Sequence, residues 1–358
     1  MKGIMKTKKI WLVITIIVCL VIVSFVGYIV YVRYFKQQDL PVISNIIKKV
    51  ANVPKETSVL NGAEVEKTDA ERRPIAVMVE NHPDSRPQSG LSDASLVYEA
   101  ITEGGITRFM AVYGPNVPKK VGPVRSARTY YIDWLQEYSA LYAHVGGNLD
   151  ALKKIKSLNI YDLDQFGIGD KAYWRLPQAG KAIEQTMYTS LEKLYEAAKQ
   201  KNWSLKISPV RELKYLAGGD LNQETKTQSI KIDFSSESYR VDWEYDSAKN
   251  LYNRSMAQKP HADAVTGKQI TASNIVIQSV SRREAITEIN EQGWAMDTIG
   301  SGKAWVVRNG VAVEATWKKT DQTSRTLFYD EAGAEIKFVP GVIWYEIVPP
   351  DVFNTIKL

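Results

Sequence analysis

The sequence predicts an α+β protein: a mixed α/β first domain and a mostly antiparallel β second domain, behind an N-terminal transmembrane helix. Three observations predict it. Residues 10–32 form an unbroken run without charge. From 73 to 225, short apolar runs alternate with stripes of helical period. From 226 to 358, strand-like runs follow one another with hairpin signals between them.

The uncharged run, Ile10 to Val32, is long enough to cross a hydrocarbon core of about 30 Å at 1.5 Å per residue. Trp11 lies near one end and Tyr28, Tyr31 and Tyr34 near the other, where interfacial aromatics sit. Lys2, Lys6, Lys8 and Lys9 precede the run, whereas only Arg33 and Lys36 follow it. That excess places residues 1–9 in the cytoplasm and the rest of the chain outside. A cleaved signal peptide would have an apolar region of about 7–15 residues and a small-x-small site. This run is longer, and Val26-Gly27-Tyr28 is a poor site, so an uncleaved single-pass anchor is expected. Cys19, the one cysteine, lies inside the run, which leaves the outer part without disulfide or thiolate chemistry. Residues 33–72 read as a stalk, with Ile43, Ile46, Ile47 and Val50 on one face of a short helix.

The first domain is expected over 73–225. Residues 75–79 read as a buried strand, followed by the turn residues Asn81, Pro83 and Pro87. Residues 96–101 and 108–113 read as two more, joined by Glu103-Gly104-Gly105. The stripe Tyr131, Ile132, Leu135, Tyr138, Leu141 and Tyr142 predicts a helix over 128–142. A short strand at 143–145 then leads to a helix opened by Asn148 and running through Ser157. Thr189-Ser190-Leu191-Glu192 fits a capping box and opens another helix, to about Gln200. In the second domain, 226–358, strands are expected at 229–234, 239–245, 274–280, 303–308, 311–317 and 342–348. Asn309-Gly310 is the strongest hairpin signal in the chain.

Charge then narrows the function. The 358 residues carry 46 Lys and Arg against 40 Asp and Glu, a net +6. Residues 1–38 hold six of the basic residues and no acid, so the remaining 320 hold 40 of each sign. The folded part has no global positive field, which excludes a general nucleic-acid binder. Locally, Arg108, Lys119, Lys120, Arg125 and Arg128 fall between Gly104 and Ile132 with no acid among them. Gly122-Pro123-Val124-Arg125-Ser126-Ala127-Arg128 precedes a predicted helix. Helix N-terminal N–H groups and guanidinium forks together suit a carboxylate or phosphate. Ser126 is a candidate N-cap or ligand donor. The alternative is that Arg125 and Arg128 pair internally with Glu99, Glu103 or Asp133.

Glu99 and Glu103 are the candidate catalytic acids. If their strand runs on through Glu103, alternation puts both on one face, beside the arginines. A carboxyl held neutral there would protonate a glycosidic oxygen; structural ion pairing is the competing reading. His144, Gly146 and Gly147 form a strand-end loop open to a ligand, and His82 follows another strand, so the two imidazoles are candidates to converge. A hydrogen-bonded core role is the other reading of His144. The three histidines are not in a metal-ligand spacing, and no P-loop, dinucleotide fingerprint or nucleophile elbow is present. No metal and no cofactor is expected.

Several ordered motifs carry a resemblance. They are 73-RPIAVMVENHP-83, 86-RPQSGL-91, Val97-Tyr98-Glu99, 103-EGGITRF-109, 122-GPVRSAR-128 and 144-HVGG-147, with Pro260-His261-Ala262-Asp263, Gly300-Ser301-Gly302-Lys303-Ala304 and Pro340-Gly341 later. In these the chain resembles the YerB-like family of bacterial extracytoplasmic proteins, domain of unknown function 3048, over about residues 70–350. The resemblance implies two domains outside the membrane of a Gram-positive-type cell and no settled activity. Many relatives look like lipoproteins, yet this chain has no lipobox. Glu184-Gln185-Thr186-Met187 stands where the family often has a Pro-His-Asn-like stretch.

Two functions are therefore in view. One is an envelope enzyme of glycosidase or lytic-transglycosylase type that acts on a wall glycan such as peptidoglycan, with Glu103 or Glu99 as acid and Arg108, Arg125 and Arg128 holding anionic groups. The other is a non-catalytic module that binds a wall glycan or other anionic envelope polymer, or recruits a wall-synthesis protein.

Overall fold

A computed structural model describes residues 2–34, 54–217 and 227–358. The face drawn by Ile43, Ile46, Ile47 and Val50, residues 35–53 of the expected stalk, and the expected domain boundary at 225 lie outside the described residues. The chain divides into two units, 1–54 and 55–358.

The first unit holds helix α1 (Lys2–Tyr34), which extends beyond both ends of the predicted span. Its stretch Ile17–Tyr34 has a mean hydropathy of 2.1 and is long and apolar enough to cross a membrane.

The second unit is built on one ten-stranded sheet. In chain order its strands are β1 (Ile75–Glu80), β2 (Leu96–Ile101), β3 (Thr107–Tyr113), β4 (Leu141–His144) and β5 (Asp162–Asp164) from the first half. A separate antiparallel sheet follows, with β6 (Ser229–Asp233), β7 (Arg240–Asp246) and β8 (Leu251–Met256) as its main strands. The large sheet then resumes with β9 (Asn274–Ser279), β10 (Gly300–Arg308), β11 (Val311–Lys319), β12 (Leu327–Tyr329) and β13 (Ile343–Val348). The order across it is β12-β11-β10-β9-β13-β2-β3-β1-β4-β5. Strand β13 lies parallel to both β9 and β2, with Glu346 level with Glu99. The halves expected as separate domains thus contribute to one sheet and one compact unit, 55–358. The class is α+β, and the later strands are mostly antiparallel.

Alternation sorts the sheet's side chains to two cores. Val77, Val97, Phe109 and Trp344 face one core, closed by Leu191 and Leu194 of helix α4 (Leu191–Gln200) and by Ile230, Trp243 and Tyr252 of the smaller sheet. Met78, Tyr98, Met110 and Tyr345 face the other, closed by helices α2 (Thr129–Leu135) and α3 (Leu149–Ser157). Every residue of β1, β2, β3 and β13 is buried, as both-sided cover requires.

Three expectations are corrected. The stalk ends earlier than residue 72, because Leu60 is buried in the second core and its carbonyl accepts from Tyr215 Oη at 3.0 Å. The helix over 128–142 spans only Thr129–Leu135: one turn of tighter helix follows, Ser139 turns left-handed at φ 49°, and Leu141 and Tyr142 enter β4. Residues 130 to 135 are all buried, so the apolar stripe reflected burial all round and not one face of a longer helix. Strand β2 stops at Ile101, and Glu103 opens a separate turn that includes left-handed Gly104. Elsewhere the turn chemistry is as expected: Asn309 and Gly310 both have positive φ between β10 and β11. Asn148 Oδ1 accepts from Ala151 N at 3.1 Å at the start of α3.

Candidate functional site

The residues singled out from the sequence separate into three groups. On the α2 face of the sheet, Glu80 and Arg108 are level with each other on β1 and β3. Glu80 Oε1 accepts the N–H groups of Asn81 and His82 at 2.8 and 3.0 Å. Its Oε2 accepts Arg125 Nε at 2.5 Å and lies 3.8 Å from Arg108 Nη2. Burial opposes ionisation of Glu80, but Arg108 and Arg125 outweigh it and hold its pKa below the usual carboxylate value. Arg108 is buried, donates to Ser126 O at 3.1 Å, and its own pKa is lowered by burial and by nearby Arg128. Arg128 grips Glu103 through two parallel hydrogen bonds of 2.7 Å. Three guanidiniums here face two carboxylates; Arg128 donates through all three of its nitrogens, whereas the buried Nε of Arg108 has no hydrogen-bond partner.

Glu99 is elsewhere. It points to the opposite face, where it is fully buried. Its Oε1 accepts Thr107 Oγ1 at 2.6 Å and Asn81 Nδ2 at 3.3 Å, and its Oε2 accepts Arg254 Nη2. Arg254 comes from β8 in the smaller sheet, is fully buried, stands 4.6 Å over the Trp344 ring, and donates to His261 Nδ1 at 2.5 Å. His261 Nε2 donates to Gln88 Oε1 at 2.8 Å. Burial, Arg254 and Arg86 push the His261 pKa well below its ordinary value, so the ring is neutral. Glu346 lies beside this pair, accepting from Trp243 Nε1 at 2.7 Å. Burial and the neighbouring Glu99 push its pKa well above the usual carboxylate range, and its Oε2 has no hydrogen-bond partner. Two carboxyl groups here share one guanidinium.

The third group is His144, fully buried between Gly146 O at 2.8 Å and Asp162 Oδ1 at 3.0 Å. Burial resists the charge on Asp162, and the His144 hydrogen bond overrides it and lowers the pKa. Gly146 has φ 56°, but its N–H donates to Asp164 Oδ1 at 2.8 Å and its carbonyl accepts from Ala127 N at 2.9 Å. Gly147 packs 3.2 Å from Ala127 O, measured from a Cβ added there. The anion nest is filled by the chain's own Asp164. His82 meets Gln185 Nε2 at 3.0 Å and Asp84 N at 3.3 Å, partners that His144 does not share.

These placements correct the general-acid expectation. Burial works against the charge on Glu103, but the Arg128 hydrogen bonds prevail and lower its pKa, so it is ionised and tied. Glu99 has no access to solvent. The shared face fails because β2 ends before Glu103. Ser126 is not the helix cap: Arg128 holds that position and provides no side-chain cap. Sequence reasoning missed Glu80, Arg254, His261 and Glu346 as members of the networks. The signals were a charged residue inside an apolar strand for Glu346, and an inward arginine in an alternating strand for Arg254. Among the described residues no group of three or more His, Cys, Asp or Glu is placed to hold a metal.

Two halves joined in one sheet around a buried Glu99–Arg254 pair define a class, and comparison with known proteins identifies it. Residues 60–204 match the family described as protein of unknown function (DUF3048), N-terminal domain, and residues 230–345 match the C-terminal domain of the same description. The chain belongs to this family. It is 32% identical over 295 residues to YerB of Bacillus subtilis (strain 168), a protein whose name includes the word lipoprotein, covering 81% of this chain and 85% of that one. The crystal structure of the B. subtilis YerB protein superposes with a TM-score of 0.74 at 30% identity, covering 85% of this chain and all of that one.

Proposed function

We propose that the protein is a membrane-anchored extracytoplasmic module that binds an anionic glycan of the cell envelope and does not cut it. The non-catalytic reading rests on the fate of the two acids. A glycosidic general acid must be protonated and reach the substrate oxygen. Glu103 is held ionised by Arg128, and Glu99 is sealed under Arg254. Anchoring is supported by the apolar helix Ile17–Tyr34 and by likeness to a relative named as a lipoprotein. The four lysines before the span favour an outer location for the folded unit. An anionic glycan is favoured over a general polyanion because the folded part is neutral overall and carries only local cation excess.

The test is sedimentation of the full-length protein, in detergent, with isolated bacterial walls, alongside an assay for soluble muropeptides. The expected result is co-sedimentation at low salt, no muropeptide release, and unchanged binding for Glu103→Gln. Muropeptide release that Glu103→Gln abolishes would overturn the non-catalytic reading. No co-sedimentation at low salt would overturn the binding reading.

A further inference from the structure

Away from the buried pairs, a cavity of about 610 Å³ opens beside the C-terminal end of α2, bordered by residues 158–161, 209–211 and strands β11 and β12. Small-ligand sites commonly occupy about 300–1,000 Å³. Its walls include three basic side chains, Arg211, Lys318 and Arg325, and no carboxylate. That excess of positive charge is local to the cavity wall.

Arg325 makes the strongest case. It is only 3% exposed, yet it makes no ion pair among the described residues. Its Nη1 and Nη2 donate to the carbonyls of Val59 and Leu60 at 3.2 and 3.1 Å, its guanidinium lies 4.6 Å over the Tyr138 ring, and its Nε has no partner. Buried charges are ordinarily paired, because desolvation costs several kcal/mol per ion otherwise. Lys318 is exposed at the rim and has no carboxylate partner; its ammonium stands 5.0 Å over the Tyr329 ring. Arg211 does have one, Glu335 at 2.7 Å, but Lys214 shares that carboxylate at 3.4 Å, so one negative charge answers two positive ones. Gln136 and Asn159 are also among the lining residues. Gln136 Nε2 is buried with no hydrogen-bond partner. Two cations without a carboxylate partner, a third that shares one, amide side chains able to pair with hydroxyls, and tyrosine rings at the wall suit a sugar bearing a negative charge.

We infer that this cavity binds an anionic carbohydrate, its carboxylate or phosphate attracted by Lys318, Arg325 and Arg211 and its hydroxyls paired with the amides. The inference rests on the anionic-glycan reading above and gives that ligand a place. The test titrates the full-length protein in detergent with D-glucuronate, D-glucose 6-phosphate, D-glucose and inorganic phosphate, followed by ligand-observed NMR. At least one acidic sugar binds about tenfold or more tightly than D-glucose, and the tighter of the two tells carboxylate from phosphate. Replacing the two exposed cations together, Lys318→Ala with Arg211→Ala, weakens that binding about tenfold with the thermal unfolding midpoint retained. Binding of neither acidic sugar, equal binding of inorganic phosphate and the sugar phosphate, or undiminished binding by the double variant would each overturn the inference. If walls still sediment the protein in any of those cases, the glycan-binding reading survives and only the cavity assignment falls.

Discussion

Replacing Glu346 with Gln changes the protein's pH dependence in a way the buried network dictates. In the folded chain Glu346 is fully buried, accepts from Trp243 Nε1, and lies level with Glu99 on the adjacent strand. Its pKa is raised well above the carboxylate value by burial and then by Glu99. The folded state therefore holds a proton that the unfolded chain releases above its ordinary pKa of about 4.3. The sign follows: whatever Glu346 contributes to stability is fully present below that unfolded pKa, and it is lost as pH rises towards the folded pKa. Within that window wild type loses about 1.4 kcal/mol for each pH unit, relative to a side chain that does not titrate. Gln keeps an oxygen for Trp243 and carries no charge at any pH. Urea denaturation at a series of pH values should then give curves that converge near pH 4 and diverge upwards, with Glu346→Gln the more stable at neutral pH. Parallel curves would refute the reasoning, because they would mean that Glu346 is ionised in the fold. A variant less stable at every pH would show instead that packing dominates.

Three further outcomes follow from the same networks. Arg254→Met leaves Glu99 buried without its ion partner and should cost about 3–5 kcal/mol, read as a shift in urea midpoint at unchanged slope. Glu80 has a lowered pKa, so its contribution is present above the unfolded value and disappears as pH falls through the folded one; Glu80→Gln should flatten the acid limb of the stability curve below about pH 4 and lower stability at neutral pH. Gly146→Ala combines a left-handed φ of 56° with a new Cβ 3.0 Å from Phe166 Cε2 and should lower stability by about 1–2 kcal/mol, measured by the same denaturation.

Local features were legible because local chemistry decides them. Asn148 caps its helix, Asn309-Gly310 turns its hairpin, and the apolar runs at 75–79 and 96–101 became strands buried on both sides; the helix after Thr189 forms too, but Ser190, one residue beyond the capping-box position, is its cap. Where burial was complete, period stopped being informative: Tyr131 to Tyr142 looked like one helical stripe because almost every residue there is inside. The candidate site failed for a non-local reason. Which face of the sheet Glu99 meets depends on β13 lying against β2, and its partner Arg254 lies 155 residues away. No spacing in one sequence reports that. The cavity beside Arg325 is assembled from segments between Leu135 and Tyr329 and has no linear motif at all.

The last strand in the sequence occupies the middle of the large sheet. Until β13 is made, the open edges of β9 and β2 have no strand between them, and Glu99 and Arg254 have no roof of Trp344 and Glu346. The half that matches the N-terminal family segment cannot close its own sheet, however much of it has already emerged. Such unpaired edges invite association with other chains while synthesis continues. The contacts that join the two halves of the sheet are thus long-range in sequence, and such pairings are slow to form because loop closure precedes the contacts that offset it.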